Sequence, residues 1–358
     1  KALIAIGGTG GHVFPGYNLA KHLIKQDYEI DILSDKRGFK YLKNFENLKI
    51  YLLPSYPLNT KNIFTTILNL TLIFYSIFRS LIFLIFNRPS IIFGMGGYAS
   101  FPICIAASIL RVKFIIYENN LVIGKANKYL LPYAKKILVS YNSLEGVLEK
   151  YKYKVVEIGN IIKKEIIHSQ ITKNPHSQTI NILVLGGSQA AKIFAEVLPK
   201  IFKECSDLGV SIKIYQHCLP TQNEQLKEFY EKNKIDFETF NFTNNLNEFF
   251  SKVNLAITRS GSSILAELTN AKIPFISVPL PSSAENHQLK NAIFYQNKKF
   301  AFLIEEKDLN DKLLKLITKI NSNRAILKEI IKNQSQYSDK NVYNNINLVL
   351  KDLNDEKN

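Results

Sequence analysis

The sequence predicts an α/β protein with two doubly wound domains, each a parallel sheet covered by helices on both faces. Short apolar runs of three to five residues alternate with helical segments, the pattern of strands buried on both sides. The series ends near Asn160 and restarts at Asn181. Each series opens with the same device, a strand running into a glycine turn and then a helix: Ile4-Ala5-Ile6-Gly7-Gly8-Thr9-Gly10-Gly11 and Val184-Leu185-Gly186-Gly187-Ser188.

In chain order the first series reads as strands at Ala2–Ile6, Glu29–Leu33, Ile50–Leu53, Ile91–Phe93, Lys113–Tyr117, Ile137–Ser140 and Val155–Ile158. The polar segment Ile166–Thr179, which contains Pro175, reads as a linker. The second series reads as strands at Asn181–Leu185, Ser211–Tyr215, Phe237–Phe240, Leu255–Thr258, Phe275–Val278 and Ala301–Ile304, with helices such as Ala191–Cys205 and Ser262–Asn270. The expected domains are therefore 1–160 and 161–337, with a lone last helix, Ser338–Leu353, packing back on the first. Ligands of open α/β sheets collect at strand C-terminal ends, so the two Rossmann-like domains are expected to face a cleft.

With 46% hydrophobic and 21% charged residues the chain is too apolar for a disordered protein. Its net charge is +16, and residues 1–160 hold 20 basic against 9 acidic side chains, so the first half carries the field. Such a field favours anionic partners, a membrane surface or phosphorylated substrates. No aromatic-basic motif accompanies it, which argues against nucleic acid. Cys104, Cys205 and Cys218 are odd in number and lack CxxC spacing, excluding a disulfide framework and a zinc site and fitting a reducing compartment. The opening apolar run, Ala2–Ile6, is too short for a signal peptide.

One segment resists the soluble picture. Thr65–Phe86 is long and apolar enough to span a bilayer. Arg79 would be costly at its centre, and Asn62, Thr66, Asn69, Ser76 and Ser80 form a narrow polar stripe at helical spacing. A spanning helix would also cut the first sheet series in two. The segment is therefore expected to be a helix that is either buried or, the reading the basic first half favours, exposes one apolar face to lipid.

The glycine turns fail the two standard nucleotide signatures, since Val13 stands where the third glycine of a dinucleotide fingerprint is needed and Tyr17-Asn18 where a Walker loop needs Lys-Ser/Thr. What remains is a loop that a substrate can approach closely, followed by His12 near a helix N-terminus. An imidazole there either caps and packs or serves as general base, its ordinary pKa of about 6.5 suiting removal of a hydroxyl proton. The second constellation is Arg259-Ser260-Gly261-Ser262-Ser263-Ile264 with Glu267. A glycine and two hydroxyls opening a helix favour a phosphate, and a carboxylate two turns in suits the paired hydroxyls of a ribose, so a nucleoside diphosphate fits both. Two weaker groups are Gly94-Met95-Gly96-Gly97-Tyr98 and Tyr117-Glu118-Asn119-Asn120, both at strand ends, and a third is Glu285–Ala292 on a helix. No D-x-D pair is present, so no carboxylate clamp for a metal is indicated.

Taken together, GGTGGHVFPG (Gly7–Gly16), GMGGY (Gly94–Tyr98), Glu118–Asn120, Gly159-Asn160, GGSQ (Gly186–Gln189), Arg259–Glu267 and His287–Ala292 resemble the MurG family, bacterial glycosyltransferases that add N-acetylglucosamine to lipid I to make lipid II. Seven motifs recur in order from residue 4 to about residue 305. The resemblance implies a GT-B fold, UDP-N-acetylglucosamine as donor, no cofactor or metal, lipid I as acceptor, and a peripheral place on the cytoplasmic face of the bacterial inner membrane. It implies His12 or Glu118 as catalytic base. The donor contacts it implies are Thr9, Gly10, Gly11, Asn120, Lys163, Ser188, Thr243, Ser262, Ser263, Glu267 and Gln288. The chain departs from the pattern at Lys163, usually Arg; Ala190, usually Gly; Thr243, often Ile; and Ile264, usually Thr. The other readings these residues allow are a different GT-B sugar-nucleotide enzyme, such as a glycolipid transferase or an epimerase, and a non-catalytic membrane-bound nucleotide binder.

Overall fold

The computed structural model describes residues 1–43, 48–56, 62–168, 178–187, 192–241, 243 and 245–355. They form two units, Lys1–Ile162 with Asn341–Asn358, and Lys163–Lys340.

Unit 1 runs β1 (Ala2–Ala5), α1 (Gly10–Ile24), β2 (Ile30–Ser34), α2 (Lys36–Leu42), β3 (Lys49–Leu52), α3 (Ile63–Phe86), β4 (Ile91–Gly94), α4 (Gly97–Ile109), β5 (Phe114–Glu118), α5 (Lys125–Leu130), β6 (Ile137–Val139) and β7 (Val155–Glu157). All seven strands pair in parallel in the order β3-β2-β1-β4-β5-β6-β7. The central strands are buried on both faces, as their unbroken apolar runs require, with Leu3, Ala5, Ile92, Ile116 and Ile137 packed against Ile103, Ala106 and Ala107 of α4. The strand order reverses between β1 and β4, and the glycine loops follow these two strands.

Helix α3 is built the reverse way round from an ordinary surface helix. Asn62 caps it, its side chain accepting from Thr65 N at 2.8 Å. Ser76 and Ser80, read as part of a polar stripe, are the buried side of the helix. Their hydroxyls donate to the carbonyls of Leu72 and Ser76 at 2.8 Å, so they need no other partner and α3 can pack closely on α4. The exposed side carries Phe74 at 68% exposure and Phe78 at 59%. By length and composition α3 could cross a membrane. Yet β3 and β4, its neighbours in the chain, are strands of one sheet, so the helix leaves and rejoins the same unit.

Unit 2 runs α6 (Lys164–Ile167), β8 (Ile180–Leu185), α7 (Lys192–Asp207), β9 (Ile212–His217), α8 (Pro220–Lys232), β10 (Asp236–Phe240), α9 (Asn247–Phe250), β11 (Leu255–Arg259), α10 (Ser262–Asn270), β12 (Phe275–Val278), α11 (His287–Asn297), β13 (Ala301–Leu303), α12 (Leu309–Ser322) and α13 (Ala325–Gln334). Its six parallel strands lie in the order β10-β9-β8-β11-β12-β13, reversing between β8 and β11. The last helix, α14 (Val342–Asp355), belongs to unit 1. Tyr343 Oη donates to Ile162 O at 2.6 Å, His22 Nε2 meets Asn347 Oδ1 at 2.8 Å and Lys113 Nζ donates to Leu353 O at 3.1 Å.

Two readings need correction. The linker does not start at Ile166, which is buried in α6; the units divide after Ile162. The last helix does not start at Ser338, because Asp339 is held in unit 2, its carboxylate accepting from Asn270 Nδ2 at 2.7 Å.

Candidate active site

In unit 1 the residues at the reversal point are fastened in layers. Helix α1 begins at Gly10, so Pro15 lies inside the helix. Proline has no N–H to offer the carbonyl four residues back, which is that of Gly11. Asn119 Nδ2 supplies the missing bond, donating to Gly11 O at 3.0 Å and tying the β5 loop to the start of α1.

His12 sits in this first turn, and its ring lies against Gly96 and Gly97. A Cβ on Gly96 would come within 3.1 Å of His12 Cε1 and Nδ1, and one on Gly97 within 3.2 Å of Cδ2. Both glycines have left-handed φ, +89° and +70°, so both space and backbone demand glycine here. The imidazole is half-buried, while Thr9 and Gly11 are exposed beside it and Gly10 is buried. Thr9 is the N-cap residue of α1 but makes no side-chain capping bond, so the first N–H groups of α1 are presented at the loop.

Glu118, the other candidate base, has a different task. Its Oε1 accepts from Asn120 N at 3.2 Å and Asn120 Nδ2 at 3.0 Å; its Oε2 accepts from Gly124 N at 2.8 Å and Asn127 Nδ2 at 3.0 Å. Four bonds fill the four acceptor sites of a buried carboxylate, so a proton from a substrate would have to displace one of them. Glu118 holds the β5 loop in shape. Asn120, expected on the donor, has its amide hydrogens engaged by Glu118 and by Asn119 Oδ1 at 3.1 Å.

Sequence reasoning missed Asp35. It caps α2 and its carboxylate accepts from Gly8 N at 3.0 Å, Gly38 N at 2.7 Å, Ser55 Oγ at 2.9 Å and Arg37 Nη2 at 2.8 Å. Burial alone would push this carboxyl up, but these donors outweigh it and hold the group below its ordinary range. The stabilisation is therefore present above the ordinary carboxylate range and is lost as pH falls below it. Asp35→Asn should lower stability by about 1 to 3 kcal/mol, because its carbonyl oxygen can keep the Gly8 and Gly38 N–H groups but its NH2 then turns donors toward the Arg37 guanidinium and the Ser55 hydroxyl in place of Oδ2. Thermal melts at neutral pH check this.

In unit 2 the glycine turn follows β8, with Gly187 at φ +76°. Ser188 and Ala190 lie outside the described residues. Helix α10 starts at Ser262 with Gly261 as its N-cap residue, so no side chain caps it, and its first N–H groups are presented beside buried Ser262 and half-buried Ser263. Arg259 of the same motif is committed to the fold: it bonds Val278 O at 3.4 Å and Pro279 O at 3.3 Å, pairs with Glu306, and lies over the Phe194 ring at 4.9 Å.

Gln288 joins two loops, its Oε1 accepting from Ser260 N at 3.1 Å and Leu280 N at 3.0 Å, while its Nε2 makes no hydrogen bond among the described residues. Thr243 bonds within its own turn, its Oγ1 accepting from Asn245 N at 3.0 Å. Burial pushes the Glu267 carboxyl up to about 7, against the pull of the nearby Lys163 ammonium. Among the described residues no group of three or more His, Cys, Asp or Glu could hold a metal ion.

Two doubly wound units, each presenting a glycine turn and an uncapped helix start at its reversal point, offer backbone N–H groups suited to phosphate-bearing ligands. The family description "Glycosyltransferase family 28 N-terminal domain" matches residues 2–139 and "Glycosyltransferase family 28 C-terminal domain" matches 181–346. The chain belongs to that family. It is 36% identical over 351 residues to the Pelagibacter ubique protein named UDP-N-acetylglucosamine--N-acetylmuramyl-(pentapeptide) pyrophosphoryl-undecaprenol N-acetylglucosamine transferase, covering 97% of each chain. It is 33% identical to the protein of the same name from Rickettsia bellii, covering 93% of this chain and 94% of that one. Among solved structures it is similar to Acinetobacter baumannii MurG, with a TM-score of 0.74 and 25% identity over 98% of this chain and 99% of that one.

Proposed function

We propose that the chain transfers N-acetylglucosamine from UDP-N-acetylglucosamine to the C4 hydroxyl of the muramyl sugar of lipid I, undecaprenyl-pyrophosphoryl-N-acetylmuramyl-pentapeptide, with inversion at the anomeric carbon. The observation that carries this reading is His12, set by the first turn of α1 on the Gly96–Gly97 backbone at the strand reversal, in a chain that matches the named relatives over nearly their whole length.

Unit 1 takes the acceptor. His12 accepts the proton of the C4 hydroxyl as that oxygen bonds to the anomeric carbon, and the bond from that carbon to the diphosphate breaks with its electron pair going to UDP. Unit 2 holds the donor. Backbone N–H groups at the start of α10 and at Gly187, with the Lys163 ammonium, stabilise the charge that grows on the leaving diphosphate. Lys163 meets it as a point charge without the two-pronged fork of arginine. Glu267 accepts both ribose hydroxyls, and the Gln288 amide donates to the sugar. Incubating the purified chain with lipid I and labelled UDP-N-acetylglucosamine should give labelled lipid II and UDP. Tight UDP binding without product would overturn the reading in favour of a nucleotide binder.

The same reading makes the protein peripheral to the cytoplasmic face of the inner membrane. Its support is the outward apolar face of α3 in the half of the chain that holds most of the positive charge. Phe78→Ser should weaken binding to anionic vesicles by roughly 10- to 150-fold, since about 1.5 to 3 kcal/mol accompanies burial of a phenylalanine. Alkaline carbonate should strip the protein from membranes; retention would speak for a spanning helix.

A further inference from the structure

The loop of residues 7–9 leads from β1 into the first turn of α1, the turn that carries His12. Its neighbours press on it unevenly. A Cβ on Gly7 would come within 2.4 Å of Ala99 Cβ and 2.8 Å of Asp35 Oδ1, and one on Gly38 within 2.7 Å of Gly7 Cα, so Gly7 is wedged in place. Gly8 is not. It has left-handed φ, +77°, and a Cβ there would meet only Arg37 Nη2, at 4.0 Å. With no side chain and no close packing, Gly8 is tied down by its N–H, which donates to Asp35 Oδ1 at 3.0 Å. The next residue, Thr9, is the N-cap of α1, and its carbonyl accepts from His12 N at 3.1 Å and Val13 N at 3.2 Å. The place of Gly8 is thus handed on to His12 through one peptide unit and one hydrogen-bonded turn.

The two oxygens of Asp35 divide their work among the described residues. Oδ1 accepts from backbone, Gly8 N at 3.0 Å and Gly38 N at 2.7 Å. Oδ2 accepts from side chains, Ser55 Oγ at 2.9 Å, Arg37 Nε at 3.0 Å and Arg37 Nη2 at 2.8 Å. Capping α2 needs the Gly38 bond alone. The Gly8 bond serves the glycine loop, and the Oδ2 bonds hold the carboxylate in its rotamer and neutralise its charge.

We propose that Asp35 is a positioning residue for the transfer reaction: through Oδ1 and the Gly8 amide it sets where the first turn of α1 begins and so where the His12 imidazole stands, while Oδ2 contributes stability alone. This rests on the reaction and the role of His12 proposed above. A base must come within about 2.6 to 3.2 Å of the oxygen whose proton it takes. A misplacement of about 1 Å costs on the order of 10²-fold in rate, so an amide left without its acceptor at the loop has its effect at the imidazole.

Three readouts test the division: melting temperature, kcat at saturating substrates well below the melting range, and the NMR resonance of the His12 Cε1–H, assigned by its loss in His12→Gln. Asp35→Asn keeps a carbonyl oxygen for the two amides, because the half-exposed Arg37 can swing away from the new NH2 and the amides cannot. Ser55→Ala with Arg37→Gln strips the Oδ2 side and leaves Oδ1 untouched. Both should melt lower, yet keep a kcat close to the parent's and the His12 resonance in place. Asp35→Ala leaves both amides bare. It should lower kcat by about 10- to 100-fold and displace the resonance, with the KM for UDP-N-acetylglucosamine unchanged. If Asp35→Ala does not fold, Asp35→Ser retains a good N-cap for α2 on a side chain one atom too short for Gly8, and should show the same two losses. Asp35→Ser with the parent's kcat and resonance would reduce Asp35 to a helix cap and overturn the proposal. So would a loss of kcat in Ser55→Ala with Arg37→Gln as large as that in Asp35→Ala, since turnover would then merely follow stability. A parent chain that forms no lipid II would sink the proposed reaction instead; the resonance still decides the positioning, which fails if Asp35→Ala and Asp35→Ser leave it unmoved.

Discussion

Replacing His12 with alanine should lower kcat by about 10²- to 10⁴-fold while UDP still binds, and the fall of the rate at acidic pH should disappear with it. The sign follows from the role. A base works only when neutral, so at saturating donor the rate of the intact enzyme declines as pH drops through the imidazole range, and an enzyme without that imidazole has no such decline in kcat. UDP binding should survive because the function proposed above draws the diphosphate and ribose contacts from unit 2. Glu118→Gln provides the contrast: it disturbs a loop held by four hydrogen bonds, so it should lower melting temperature as well as rate and should leave the acidic limb in place. Near-normal turnover of His12→Ala with an intact acidic limb would move the base elsewhere.

Glu267→Ala should reduce kcat/KM for the donor by about 1 to 3 kcal/mol, roughly 5- to 150-fold, the range for hydrogen bonds to a charged group. Because burial raises this carboxyl to about 7, the intact enzyme should also lose donor affinity as pH falls below about 7, where the group protonates and offers the ribose one acceptor fewer. Glu267→Gln should show weak, pH-independent donor binding. The same raised value makes a stability statement. The folded protein holds this proton more tightly than the unfolded chain, so stability falls as pH rises from the ordinary glutamate range toward 7, and above it the whole penalty is present. Ligand-free Glu267→Gln should therefore melt higher than the parent at pH 8, by at most about 3 kcal/mol, and the difference should vanish near pH 4.5. A glutamine variant that melts lower at pH 8, or donor kinetics unchanged by either substitution, would remove Glu267 from the donor site.

Much of this architecture is readable from the chain because it rests on short-range chemistry. Strands buried on both faces must be continuously apolar, so runs such as Ile4–Ile6 and Leu255–Thr258 announce themselves, and a glycine turn after a strand marks the point where a helix start is left open. What escaped the sequence depends on contacts between distant segments. Asp35 lies 27 residues from Gly8, and only folding brings its carboxylate to that amide. Its one local signal was the aspartate three residues before Gly38 that caps α2. The need for Asn119 was written in Pro15, which leaves a carbonyl bare, but nothing local says which donor fills it. Which side of α3 packs was not legible for a related reason. Its serines read as part of a polar stripe, yet a serine that bonds its own helix is a small apolar-tolerant residue suited to close packing.

The placement of α14 bears on how the protein is made. Unit 2 is one uninterrupted stretch, whereas unit 1 lacks an element until Asn341 and the residues after it have left the ribosome. Each element of unit 2 is available while unit 1 still waits with the surface around His22, Lys113 and Ile162 uncovered and the outer face of α3 bare. The order of synthesis thus leaves the amino-terminal half as the last to be completed. In that interval the nascent chain exposes two apolar faces at once, which makes it a substrate for chaperones, and a ribosome-stalled chain ending before residue 341 should be captured by them far more than the full-length protein.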